Sequence, residues 1–78
     1  MRQRRPRLIV SFHTTAEAIA TEAACRRLGL EGKLISVPRS VTSDCGLAWS
    51  APPELEAEVR KALADSNVEP AGFHHLTI

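Results

Sequence analysis

The chain has no tyrosine, two phenylalanines and a single tryptophan, and it has only two cysteines among its 78 residues. A lone aromatic on a strand usually packs, so Trp49 is expected to cover the core or an interface rather than to stack on a ligand. No apolar stretch reaches the roughly 18 to 20 residues of a membrane-crossing helix, and the basic start is not followed by a secretory apolar region. We therefore expect a cytoplasmic protein. A reducing compartment argues against a structural disulfide between Cys25 and Cys45, so each thiol is read on its own. The formal charge of +1 lacks the excess that would make nucleic acid or an acidic membrane the main partner. Internal repeats and low-complexity tracts are absent as well.

What remains is ordinary for a folded soluble domain: 44% hydrophobic and 24% charged residues. A chain of this length forms one domain and buries only about 60% of the surface its unfolded form exposes. The one charge asymmetry is Arg2, Arg4, Arg5 and Arg7 at the start. Residues 1–6 read as a solvated basic extension and residues 7–78 as the domain.

Local patterns give an element order. "RLIVSF" (7–12) is a β-rich run, and Thr14 or Thr15 can cap a helix, with Glu17 three residues beyond Thr14 as a capping box requires. The helix covers residues 16–28 and ends at Gly29. Its many alanines blur the apolar face: Ala18, Thr21, Cys25 and Leu28 form one stripe, while Ile19, Ala23 and Leu30 suggest another. "KLISV" (33–37) is a second strand ended by Pro38, and residues 39–44 form a polar loop. Gly46 permits a turn into a third strand around Trp49. A second helix starts near Pro52 and Pro53, with Ser50 as a candidate cap and Glu54 and Glu56 at its positive dipole end. Leu55, Val59, Ala62 and Leu63 lie at i, i+4, i+7 and i+8 and make its buried stripe. Asn67 stops it, and residues 73–78 form a last strand.

The order β-α-β-β-α-β predicts an α+β fold, a ferredoxin-like two-layer sandwich. Right-handed crossovers are expected to set the first and third strands parallel at the centre. On that arrangement Cys45 neighbours Arg7, Arg39 and the C-terminus. His13 and His74 then lie roughly 15 Å away at the other end, too far for a Cys-His pair or a shared metal shell. Both helices would turn their negative C-terminal ends toward Cys45 and disfavour a thiolate, as would Asp44. Arg39, Arg7, the N–H groups of Gly46 and Leu47 and the hydroxyls of Ser40, Thr42 and Ser43 would favour one. His74 and His75, adjacent on a strand, point to opposite faces, so no metal site is expected of them. On spacing alone Cys45 reads more often as a small buried hydrophobe than as a nucleophile, although a loop cysteine beside a glycine is reachable. Cys25, among alanines in a helix, reads as packing.

The stretch "SFHTTAEAIATEAACRRLGLEGKLISVPRSVTSDCGLAW" resembles a family of small selenium/sulfur (Se/S) carrier-like proteins. The matching positions are Phe12, Ala18, Glu22, Gly29, Pro38, Arg39, Ser43, Cys45, Gly46, Leu47 and Ala48. The segment from Pro38–Arg39 to Cys45–Gly46 is the specific part, and the likeness runs from Leu8 to about Gly72. Asp44 and the basic extension depart from the pattern. The resemblance implies a sulfur or selenium carrier in which Cys45 holds a persulfide or selenopersulfide, with Arg39, Ser43 and Gly46 stabilising the anion. It implies donor and acceptor proteins such as a cysteine desulfurase, no cofactor, and a carrier role rather than independent turnover. The competing reading is a non-catalytic ligand-binding or regulatory module, in which Cys45 and Trp49 are packing residues and edge strands can pair into a homodimer. A redox switch through an intersubunit Cys45 disulfide ranks third.

Overall fold

Six residues at the start of the domain alternate between the two faces of a sheet, only one of them covered by helices among the described residues, and this alternation organises the rest. The computed structural model describes residues 4–41 and 45–78. Its elements are β1 (Pro6–Ser11), α1 (Thr15–Arg27), β2 (Lys33–Ser36), β3 (Leu47–Ala51), a 3-10 turn (Pro53–Leu55), α2 (Glu56–Asp65) and β4 (Gly72–Thr77). The result is an α+β structure, with two helices packed on one face of a four-stranded antiparallel sheet.

Helix α1 begins as the sequence predicts. Thr14 Oγ1 accepts the Glu17 N–H at 3.2 Å, and the Glu17 carboxylate accepts the N–H groups of Thr14 at 3.1 Å and His13 at 2.9 Å. These bonds satisfy donors that the first turn leaves without intrahelical partners. Of the two candidate stripes, Ala18, Thr21 and Cys25 are buried together with Ala24, while Ile19 and Leu28 are both 55% exposed. The buried Thr21 hydroxyl donates back to the Glu17 carbonyl at 2.9 Å, so this polar group is satisfied within the helix.

Helix α2 starts differently from the expectation. Ser50 does not cap it: this residue lies in β3, where its hydroxyl accepts the Arg7 Nε–H at 3.0 Å. The chain instead enters α2 through the 3-10 turn, where the fixed φ of proline suits a first turn, and Leu55 at the N-cap makes no side-chain bond. The apolar stripe holds, with Val59, Ala62 and Leu63 buried and Leu55 packed on the core. Asn67, at φ +57°, ends the helix, and Val68 N–H bonds back to the Leu63 carbonyl.

The strand order is β2-β3-β1-β4, with every neighbouring pair antiparallel. The expected parallel pairing of the first and third strands is therefore corrected. The α1 crossover makes β1 and β2 run the same way, and the loop after β2 reverses the chain. A strand inserted between β1 and β2 must then oppose both. Leu8, Val10 and Phe12 point under the helices and join Trp49, Cys25, Val59 and Leu63 in the core. Arg7, Ile9 and Ser11 point to the face that no helix among the described residues covers. Gly32 is fixed by contact: a Cβ there would sit 2.5 Å from the Trp49 ring, so only hydrogen fits against the indole.

Candidate functional site

The antiparallel β1–β3 pair decides where the loop cysteine lies. Ser11 pairs with Ala48 and Leu8 with Ala51. Three residues back from Ala48 is Cys45, and three residues on from Ser11 is Thr14, the cap of α1. Cys45 therefore shares an end of the sheet with His13 and with the positive N-terminal end of α1. This reverses the expected neighbourhood. Arg7 pairs with Leu76 at the opposite end, next to the C-terminus, and His74 pairs with Ile9 in mid-strand. Helix α2, which leaves from the far end of β3, brings its C-terminal end toward the cysteine. The two helix termini thus act in opposite senses, where the parallel arrangement would have placed two negative ends there.

Cys45 is half-buried and packs against the margin of the core. Its Sγ accepts the Leu47 N–H at 3.3 Å and lies 3.4 Å from the Leu47 carbonyl, to which the thiol can donate. Gly46 makes this return possible. At φ +76° it turns the backbone through a region closed to most side chains, and the next N–H points back at the sulfur. The space around Gly46 is open, so the demand there is for conformation alone. Leu47 N–H, one of the two backbone donors considered from sequence, is the one bonded to the sulfur.

The rest of the loop is held at its base. Val37 N–H bonds to the Gly46 carbonyl at 3.0 Å, which ties the end of β2 to the residue after the cysteine. Val41 N–H bonds to the Pro38 carbonyl at 3.0 Å and forms a turn that carries Arg39 and Ser40, both exposed. Val41 itself is buried. Ser43, with Thr42 and Asp44, lies outside the described residues. The site residues thus fall into two groups: Cys45, Gly46 and the Leu47 N–H form one bonded unit, and Arg39 projects from the turn before it.

Cys25 is the contrasting thiol. It is fully buried in α1 among core residues, and this burial pushes its thiol up from the ordinary value by desolvating the anion. No group of three or more His, Cys, Asp or Glu side chains suited to a metal occurs among the described residues. No helix among them is long and apolar enough to cross a membrane.

What sequence reasoning missed was the α1 N-terminus at the cysteine's end. The signal was present, because a β-hairpin between the second and third strands fixes their antiparallel relation. Comparisons with curated proteins and with solved structures gave no match. A family model described as "Putative Se/S carrier protein-like" matches residues 7–75, a span that includes Cys45, both helices and all or most of each strand, and the chain belongs to that family.

Proposed function

We propose that this protein is a cytoplasmic sulfur or selenium carrier in which Cys45 holds the transferred atom. The observation that carries the reading is the half-buried Cys45 Sγ bonded to the Leu47 N–H, within the span matched by a family described as Se/S carrier protein-like. The Cys45 thiolate attacks the terminal sulfur of a donor persulfide. A new S–S bond forms at Cys45, the donor S–S bond breaks, and the donor cysteine leaves as a thiolate. An acceptor thiolate then attacks the same terminal sulfur and frees Cys45. No net electrons are exchanged, so no cofactor is required. The backbone N–H, the guanidinium of Arg39 and the hydroxyl of Ser43 favour the anionic forms through charge-assisted hydrogen bonds. Gly46 keeps the N–H aimed at the sulfur.

Residues 7–78 act as the carrier domain, and we read its architecture as ferredoxin-like. Edge positions for β2 and β4 around a central β3-β1 pair support that reading. The partners are a persulfide donor, such as a cysteine desulfurase, and a thiol acceptor protein. The test is by mass. After incubation with a cysteine desulfurase and cysteine, the wild type should gain one sulfur atom at Cys45 and Cys45→Ala should gain none. Sulfur found on Cys25 instead rejects the assignment.

A further inference from the structure

A cleft of about 770 Å³ runs along β2. At one end Arg5, Arg7 and Lys33 line it, against Glu31 as the acidic side chain. At the other end it reaches Ser36 and Pro38, and Pro38 opens the loop that carries Arg39 and Cys45. The three cations take no part in an ion pair among the described residues, whose Arg–carboxylate pairs join Arg26 to Glu22 and Arg60 to Glu56. Arg7 is oriented by its Nε–H bond to Ser50, which leaves the outer edge of its guanidinium for a ligand. Ile35 supplies an apolar stretch between the two ends.

We infer that this cleft binds an acidic segment of a partner protein, and that the segment lies along β2 with its carboxylates on Arg5, Arg7 and Lys33. Identifying that partner as the sulfur donor or acceptor rests on the carrier reading; the binding site does not. From Lys33 to Pro38 the cleft spans about 17 Å at strand spacing, the length of roughly five extended residues. A partner anchored at the cationic end therefore delivers its following residues to the Cys45 loop. Nucleic acid fits less well, because no aromatic side chain among the described residues lines the cleft to stack a base.

The test uses the full chain and a fluorescein-labelled hexaglutamate peptide, read by anisotropy. Arg5→Glu/Lys33→Glu should weaken binding by about tenfold, as expected for reversing two exposed charges beside an anion. Arg27→Glu/Lys61→Glu, which changes net charge equally on the exposed helix faces, should weaken it less than about twofold if the effect is local rather than a net-charge effect. Cys45→Ala should bind as wild type does, so a failed carrier assignment leaves this result standing. Backbone amide shifts in NMR should concentrate at Arg5, Arg7, Lys33 and Ser36. Equal losses in the two double variants, unchanged affinity in Arg5→Glu/Lys33→Glu, or tighter binding of a labelled oligothymidylate than of hexaglutamate would each overturn the proposal.

Discussion

The two cysteines show how placement gives one side chain two environments. Cys25 stands on the inner stripe of a helix, with no solvent exposure and packed in the hydrophobic core. Cys45 stands at a loop-to-strand junction, half-buried, with a backbone donor on its sulfur. Burial makes the first a packing residue. Partial exposure with a fixed donor is what the proposed carrier role asks of the second.

Alkylation is the widest test of that contrast. Native protein treated with iodoacetamide should label Cys45 on the order of a hundredfold faster than Cys25, because Cys25 reacts only through opening of the core. Peptide mapping by mass reads the ratio, and similar rates would erase the distinction. Cys25 should also stay unlabelled as pH rises through the ordinary thiol range. Its raised folded-state value means that the stability it contributes is complete below the unfolded value and is lost as pH climbs toward the folded one.

Closing the gap from the other side is a matter of packing. Gly32→Ala places a methyl group against the Trp49 indole and should cost about 1–3 kcal/mol, read from the urea midpoint. Cys25 belongs to the same core cluster, so its labelling should accelerate while that of Cys45 changes little. Gly46→Ala acts on Cys45 alone. There is room for the methyl, and the cost of about 1–2 kcal/mol comes from holding alanine at positive φ. It should alter the rate of Cys45 modification and leave Cys25 protected.

The smallest effect lies away from both thiols and serves as a baseline. Hydrogen bonds from Arg60, and then from His75, hold the Glu56 carboxyl below its ordinary range. A depressed folded value gives stability that is present above the unfolded value and is lost as pH falls through the folded one. Glu56→Gln should flatten that acid limb of the stability curve without changing either thiol's labelling at neutral pH.

Much of this was readable in the residues themselves. Thr14 and Glu17 spelled out a cap three residues apart, and Leu55, Val59, Ala62 and Leu63 gave the α2 face, because both signals are local and periodic. The α1 face was not readable in the same way. Alanines surround the helix, and Ile19 and Leu28, the larger side chains that would normally mark the inside, are exposed. Ser50 looked like a cap because serine before proline often is one, whereas its hydroxyl is taken by Arg7 from a neighbouring strand 43 residues away. The direction of β3 against β1 is likewise a relation between distant segments. That relation put the cysteine beside the start of α1 rather than beside Arg7. The pairing of Cys45 with a glycine and an apolar residue was visible, but the bond from Leu47 depends on the φ of Gly46 and had to be seen in three dimensions.

Trp49 gives the molecule its own optical gauge. The chain has no other indole and no tyrosine to obscure it, and its ring is wholly enclosed, with its Nε1–H unpartnered among the described residues. Its fluorescence should therefore emit at short wavelength in the folded protein and shift to the red on melting. That single signal follows folding without labelling either sulfur.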